Sequence, residues 1–413
     1  DISTFQSSSY FKLNANFVLD KKELKVIKTK ITNTNTNNII YTTCNEDIKD
    51  KTIIENLYKD AKEDKAKFTI KNLTKNNSTR SAPPPFITSS LQQSASITLG
   101  MSPDTTMKVA QKLYEASAIT YMRTDSTAIA EDAMKSIKTI VASKFGETYY
   151  KKTNYKTKSS SAQQAHECIR PVDFAKENIL NMDGLTPQHN RLYQLIWRRT
   201  LASQMTPATL ENRTVKIATG ENKSNQLLFS GKHEKVIFEG FLKAQNIHKK
   251  TKAQSTTNVS SEYIENSSGD DDNENGDENG DENGDENGDD ENENNEVKTA
   301  NSEHNKYLET IYDTLKIGDS AFVKNMNCSE KYSKPKQSRY TEASIISAIE
   351  KLGIGRPSTY SSVISKIQDK EYVEKKNLPP KKVKLTTLNY NYPDSIKIET
   401  KDGKVEGDKN KLI

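Results

Sequence analysis

The sequence predicts a multidomain α+β protein in which a β-rich domain is interrupted by a mainly helical one and then resumed. Three observations predict this. Apolar and polar residues alternate over 9–80 and again over 209–245, the period of a strand with one face buried. Between them, residues 86–208 carry apolar positions at helical spacing. From Tyr340 onward the helical spacing returns. The divisions fall at 1–80, 81–208, 209–328 and 329–413, the last being mainly helical.

Taken in order, Tyr10-Phe11-Lys12-Leu13-Asn14-Ala15-Asn16-Phe17, Leu24-Lys25-Val26-Ile27-Lys28 and the β-branched Ile39-Ile40-Tyr41-Thr42-Thr43 read as antiparallel strands, with one helix within 48–66. Ser81-Ala82-Pro83-Pro84-Pro85 breaks the pattern and marks a crossover between domains. Ser89 and Gln92 have capping-box spacing, Leu91, Ala95 and Leu99 follow at i+4 steps, and Gly100 stops that helix. Ser102 as N-cap and Pro103 at the first helical position open a second helix, with Met107, Ala110 and Leu113 inward. A strand through Tyr121 comes next. Helices over about 128–145 (Ile129, Ala133, Ile137, Ile140 and Val141 inward, Gly146 as stop) and 190–204 (Leu192, Leu195, Ile196, Leu201) complete the helical domain. Thr214-Val215-Lys216-Ile217, Lys235-Val236-Ile237-Phe238 and a short strand over 318–325 resume the β-rich part. Helices over 341–352, ended by Gly353, and about 358–369, begun after Pro357, follow, and the lysine-rich tail after Asn377 is weakly determined.

Composition narrows the function class. From Gly269 to Glu296 the chain has fifteen Asp or Glu and no Lys or Arg. Such a run cannot bury enough apolar surface to offset its ordering entropy, so 250–305 is expected to be a disordered insert. It masks the balance of the remainder: the formal net charge is +5, but without the fifteen acids 61 basic and 41 acidic residues leave +20. A body with that excess suits a polyanion, although a lysine- and asparagine-rich composition produces the same excess without one. Three cysteines without paired spacing support neither a disulfide framework nor a zinc ribbon. No apolar run approaches the roughly 20 residues of a membrane helix. The expected setting is reducing, intracellular and with no membrane partner.

Ile119-Thr120-Tyr121-Met122-Arg123-Thr124-Asp125-Ser126 carries the most chemistry. In an extended segment Tyr121, Arg123 and Asp125 share one face. A phenol with a pKa of about 10 attacks a phosphodiester at neutral pH only if a nearby cation stabilises the phenolate and the phosphate oxygens. A tyrosine by itself is more often a packing residue, and an arginine two positions on is often a loose partner of the next carboxylate.

The segment resembles the active-site signature of type IA DNA topoisomerases, and it is not alone. Pro85-Phe86-Ile87-Thr88-Ser89-Ser90-Leu91-Gln92-Gln93, Gln164-Ala165-His166-Glu167-Cys168-Ile169-Arg170-Pro171, Met205-Thr206-Pro207-Ala208, Arg339-Tyr340-Thr341-Glu342-Ala343-Ser344 and Gly353-Ile354-Gly355-Arg356-Pro357-Ser358-Thr359-Tyr360 resemble motifs of the same family in its order, over about residues 5–375. The resemblance implies that the interrupted β-rich part is the family's arch domain, 81–208 its tyrosine-bearing domain and 329–413 part of its helical single-strand-groove domain. It implies that Tyr121 becomes joined to a 5′ phosphate of DNA, with Arg123 and His166 assisting catalysis. It implies DNA contacts by Arg123, Asp125, Arg170, Gly355, Arg356, Ser358, Thr359 and Lys370, the last where family members often carry arginine.

The implied activity is ATP-independent relaxation of negatively supercoiled DNA through a transient single-strand break. The alternative is a truncated or degenerate paralogue that binds single-stranded DNA without cleaving it. The implied partner is DNA, single-stranded or negatively supercoiled, and the implied state a monomer. The family uses Mg²⁺ held by an N-terminal Toprim domain, which this sequence lacks, so the sequence is expected to be a fragment, inactive in relaxation alone, with no metal site of its own. Asp270-x-Asp272-x-Glu274 has the Toprim acidic spacing. It lies in the repetitive acidic run, with no strand before it to hold the carboxylates rigid, and is not taken as a metal site. His189, His233, His248 and His304 lack a motif context and are read as surface residues.

Overall fold

The computed structural model describes residues 5–21, 39–155, 166–220, 226–245, 309–335, 338–379, 381–393, 395–405 and 411–412. The 24–28 strand, Gln164, Ala165 and the acidic insert with its Asp270-x-Asp272-x-Glu274 lie outside the described residues.

Eight antiparallel strands form one sheet: β1 (Ser9–Val18), β2 (Ile40–Cys44), β3 (Phe68–Arg80), β4 (Ala208–Thr219), β5 (Leu228–Phe238), β6 (Ser320–Tyr332), β8 (Lys381–Asn391) and β9 (Ser395–Val405). Their order is β1-β2-β5-β4-β3-β6-β8-β9, and β1 also pairs with β6, so six strands close into a ring. The short β7 (Lys375–Lys376) and β10 (Lys411–Leu412) pair with each other. Alternation along β1 does what the sequence predicts: Phe11, Leu13, Ala15 and Phe17 are buried while the residues between them are half exposed. Inside the ring, the Phe17 ring stands edge-on to Phe68 at 4.9 Å and to Phe229 at 5.7 Å. Each such buried ring contributes about 1.5–3 kcal/mol of transfer free energy.

Helix α1 (Lys51–Lys62) is capped by Asp50, whose carboxylate accepts from the Thr52 amide at 2.9 Å. It buries Ile54, Leu57, Tyr58 and Ala61 in the same core as the ring. Tyr58 donates to the Leu388 carbonyl at 2.9 Å, and Tyr390 donates to that of Ala61 at 3.3 Å. These two phenols fasten β8 to α1.

The helical part comprises α2 (Thr88–Leu99), α3 (Pro103–Glu115), α4 (Glu131–Phe145) and α5 (Pro187–Ser203), followed by a single-turn α6 (Leu242–Gln245). Leu91, Leu113, Ile137, Val141, Leu192, Ile196 and Leu201 meet in its core, as their helical spacing requires. The crossover at 81–85 is irregular, and its carbonyls are taken by side chains from the helical part. Tyr155 donates to Ala82 at 3.0 Å and Arg199 to Pro84 at 2.6 Å.

Outside the Tyr121 segment, the structure departs from the sequence reading at the following elements. Helix α2 begins with Ile87 as N-cap and Ser90 as the capping hydroxyl, not with Ser89 and Gln92. The Ser89 hydroxyl is used elsewhere, as shown below. Helix α5 begins at Pro187, three residues early, because Thr186 and His189 cap each other. β6 runs to Tyr332, past the expected 325, because β1 pairs with it over its length. Among the described residues of 329–413, the helices are α7 (Glu342–Lys351) and α8 (Tyr360–Asp369). The tail forms the β8–β9 hairpin, whose Leu388 and Tyr390 belong to the ring's core. No helix among the described residues is long and apolar enough to cross a membrane.

Candidate active site

Four of the sequence motifs come together. Segment 168–172 runs between two neighbours. On one side Ile169 forms an isolated antiparallel bridge with Phe86, and on the other Pro171 forms one with Ile119. The Thr120 amide donates to the Arg170 carbonyl at 2.9 Å, and its hydroxyl donates to that of Cys168 at 2.6 Å. The Arg170 amide returns a 2.9 Å bond to that same hydroxyl. Thr120 therefore clamps the residue before Tyr121 to the segment that begins at His166.

Beyond Tyr121 a second threonine takes over. The Thr88 hydroxyl, at the first residue of α2, lies 2.8 Å from the Met122 carbonyl and 3.1 Å from that of Thr124. It accepts from the Thr124 amide at 2.9 Å, and the Thr88 amide donates to the Thr124 carbonyl at 2.9 Å. The expected strand through Tyr121 is thus absent: these bonds go to a helix terminus and a side chain rather than to a ladder. The alternation it implied is present all the same. Met122, Thr124 and Ser126 are buried, Tyr121 and Arg123 are exposed, and Asp125 is half-buried.

Tyr121 is 43% exposed, its ring edge-on to Tyr114 at 5.2 Å. Among the described residues its hydroxyl has no hydrogen bond, and the Arg123 guanidinium has no ion pair. No Arg123–Asp125 pair forms. A phenol and a cation thus stand side by side in solvent on a backbone fixed at both ends. His166 is exposed and lies two residues before Cys168. The Cys168 thiol is fully buried, and burial pushes it up to about 12 against the opposing effect of Arg170, which makes it inert as a nucleophile.

Arg170 differs from Arg123. Its side chain is only 13% exposed and forks onto Glu167, with Nη2 to Oε2 at 2.7 Å and Nε to Oε1 at 3.2 Å. Its Nη1 donates to the Pro171 carbonyl at 2.9 Å. Glu167 also accepts from the Ala130 amide at 2.6 Å, just before the N-terminus of α4. In this structure Arg170 braces α4 to this segment through Glu167.

The fourth motif reaches the site through α7 and α8. Ser89, next to Thr88, donates to Glu350 on α7 at 2.8 Å. Tyr360, the first residue of α8, is buried. Burial raises its phenol's pKa, Glu350 and Asp125 add to that, and Arg356 opposes it. Asp125 of the Tyr121 segment and Arg356 of the Gly355–Thr359 turn therefore act on one buried phenol.

The turn itself precedes the helix rather than starting it. The Thr359 hydroxyl accepts from the Arg356 amide at 2.8 Å, and the Arg356 guanidinium, exposed, donates to the Gly355 carbonyl at 2.8 Å. Gly355 has φ +81° and lies against Tyr360, where a Cβ would come within 3.3 Å of the ring. Ser358 is exposed on the turn, and Lys370 lies at the other end of α8, 5.9 Å from the Tyr372 ring.

Sequence reasoning missed the residues that hold this site together: Thr88, Thr120, Glu350 and Tyr360. Three of them lie inside quoted motifs, but only the fold shows what their side chains grip. Gln92, one turn beyond Thr88, is fully buried with neither amide atom partnered among the described residues.

Comparison with known proteins agrees with this assembly. A family model described as DNA topoisomerase matches residues 1–273 and 279–398. A prokaryotic-type DNA topoisomerase 1 of Acanthamoeba polyphaga mimivirus is 35% identical over 343 residues, 82% of this chain and 33% of that protein. DNA topoisomerase 1 of Zymomonas mobilis is 35% identical over 328 residues, 79% of this chain and 22% of that protein. The solved full-length topoisomerase I of Thermotoga maritima superposes with a TM-score of 0.60 at 25% identity, covering 91% of this chain and 49% of that one. The chain thus spans a third or less of the length of those two curated relatives. With the family model covering almost all of it and the motifs gathered around Tyr121, the chain belongs to the type IA, bacterial topoisomerase I family of DNA topoisomerases.

Proposed function

We propose that this chain carries the strand-cleaving part of a type IA topoisomerase that relaxes negatively supercoiled DNA without ATP. The Tyr121 oxygen attacks a phosphorus of single-stranded DNA, the 3′ oxygen leaves and takes up a proton, and the 5′ phosphate remains esterified to tyrosine. Attack by the 3′ hydroxyl reverses the step, so the phosphodiester's bond energy is kept while a strand passes. Arg123 stabilises the phenolate and the charge developing on the phosphate oxygens. His166, when protonated, adds a second cation near the phosphate. Arg356, Ser358 and Thr359 with Gly355 contact the strand in the turn before α8, at the end of the helix whose dipole favours phosphate, and Lys370 and Asp125 flank it. Arg170 acts through Glu167 as a brace.

One observation carries this reading. Tyr121 and Arg123 are exposed and without polar partners among the described residues, on a segment whose neighbouring threonine and serine side chains are almost all committed. Fixed reactive groups left without partners fit a ligand that supplies them. The Mg²⁺ that the family implies has no fit here: no group of three or more His, Cys, Asp or Glu among the described residues is placed to hold a metal. No step above runs through one. The setting is DNA-associated and intracellular, with the protein acting as a monomer.

The deciding test is Tyr121→Phe in the full-length protein. Covalent protein–oligonucleotide adducts, trapped by denaturation, are expected to vanish while single-strand affinity stays within a few-fold, since phosphate contacts supply most of it. Adducts formed by the Phe variant, or none by the parent, would overturn the reading. A parent that binds single strands without forming adducts would be a binding module.

A further inference from the structure

Thr88 and Ser89 are consecutive residues in the first turn of α2, and they hold different things. Thr88 holds the Met122 and Thr124 backbone on the far side of Tyr121. Ser89, 1% exposed, holds Glu350 in the last turn of α7 at 2.8 Å. Glu350 lies near enough to Tyr360, the buried first residue of α8, to raise its phenol's pKa, as Asp125 of the Tyr121 segment also does, while Arg356 in the preceding turn opposes the rise. One helical turn is therefore common to the segment carrying the nucleophile and to the helix pair that flanks the Arg356 turn. A half-buried carboxylate bonded to a buried hydroxyl fixes distance and direction, where an apolar contact would let α7 slide.

We propose that Glu350 is a positioning residue for strand cleavage. By accepting from Ser89 it seats the α7–α8 hairpin on the turn that grips the Tyr121 segment. The strand held at Arg356 then presents its phosphate to Tyr121 at a set register. Glu350 touches no reacting atom. Its effect passes through Ser89. The inference rests on the topoisomerase reading and goes beyond it by assigning the part that couples the two halves of the site.

The test measures single-turnover adduct formation at saturating oligonucleotide, alongside the Kd for that oligonucleotide, in the full-length protein. Glu350→Ala and Ser89→Ala are each expected to slow cleavage about tenfold while Kd changes less than twofold, because misplacement by a fraction of an ångström costs rate rather than affinity. Glu350→Gln keeps an oxygen acceptor for Ser89 and should retain most of the rate. The Ser89→Ala/Glu350→Ala double variant should be no slower than either single variant, since both remove one bond. Undiminished cleavage in Ser89→Ala, a Gln variant as slow as the Ala variant, or additive losses would each overturn the inference. Should Glu350→Ala fail to fold, the Ser89→Ala and Glu350→Gln results decide it. A parent protein that forms no adduct at all would instead overturn the topoisomerase reading, and this inference with it.

Discussion

Two arginines placed among hydroxyls and carboxylates have opposite fates in this molecule. On β4, the Arg213 side chain is 7% exposed and has three partners within the chain: Glu211 at 2.5 Å, Asp313 at 2.8 Å and the Glu309 carbonyl at 3.0 Å. Burial disfavours both Arg213 and Glu211 as ions, yet their mutual bonds, with Lys75 on Glu211, outweigh it and leave Glu211 below and Arg213 above their ordinary ranges. In the Tyr121 segment the pattern is inverted. The backbone and its threonines are bonded, while Arg123 and Tyr121 stand exposed with no polar partner among the described residues. A cation whose partners are all in the chain is a fold element. One without partners among the described residues, on bonded backbone, suits the DNA contact proposed for it.

The sharpest way to break this comparison is to remove each arginine. Arg123→Ala should lower the rate of adduct formation about 100-fold, the usual cost of losing a charge stabiliser, with the thermal midpoint unchanged within about a degree. Arg213→Ala should do the reverse, lowering the midpoint by several degrees because it leaves the buried Glu211 carboxylate with Lys75 alone and removes the bonds to Asp313 and the Glu309 carbonyl, while the folded fraction cleaves normally. Rates and midpoints for both variants settle it. A destabilised Arg123→Ala or a slow but stable Arg213→Ala would mean that bonding within the chain does not separate the two roles.

A smaller effect tests the fixed backbone itself. Thr88→Val keeps shape but removes the hydroxyl that Met122, Thr124 and the Thr124 amide share. The segment keeps one bond there, from the Thr88 amide. Adduct formation should fall roughly tenfold at unchanged oligonucleotide affinity, because the phenol loses its preset direction rather than its chemistry. An unchanged rate would show that Thr120 alone suffices to hold Tyr121.

How much of this was legible beforehand depends on which interactions are local. The ring's strands were readable where period-2 burial shows in the sequence, as in Phe11 to Phe17. The helix of 103–115 was readable because its cap, its proline and its apolar face all agree. The β8–β9 hairpin was missed although Lys384-Leu385 and Ile396-Lys397-Ile398 alternate, because the prolines at 379 and 380 and the many lysines left the tail weakly determined. In fact they precede the strand and leave its pairing with β6 intact. At the site, Tyr121, Arg123 and His166 were found by motif alone. Thr88, Ser89 and Glu350 were not, since nothing local says that a hydroxyl at 89 meets a carboxylate at 350. The bonds of Arg170 were not legible for the same reason: its partner Glu167 sits three residues away, a spacing that shows a possible pair but not the fork that forms.

His189 sharpens the comparison at its weakest end, because it was read as an idle surface residue and the structure gives it work. Its Nδ1 accepts from the Thr186 amide at 3.1 Å and pairs with the Thr186 hydroxyl at 2.7 Å, closing a capping box at the start of α5. Partial burial, with Lys112 adding, lowers its pKa below the usual histidine value. The folded state therefore prefers the neutral ring, which alone leaves Nδ1 free to accept. A group whose folded pKa is depressed contributes stability that is fully present above its unfolded pKa, about 6.5, and that is lost as pH falls through the lower folded value. The thermal midpoint should thus decline slightly more steeply between about pH 6.5 and 5 in the parent than in His189→Gln, whose side chain accepts without titrating. The difference should stay near a degree, as expected for a half-exposed cap contributing a few tenths to about 1 kcal/mol. Adduct formation by the Gln variant should match the parent at every pH in that window, since all that His189 holds lies within the fold. A shifted pH profile of cleavage in that variant would place this histidine with His166 rather than with Arg213.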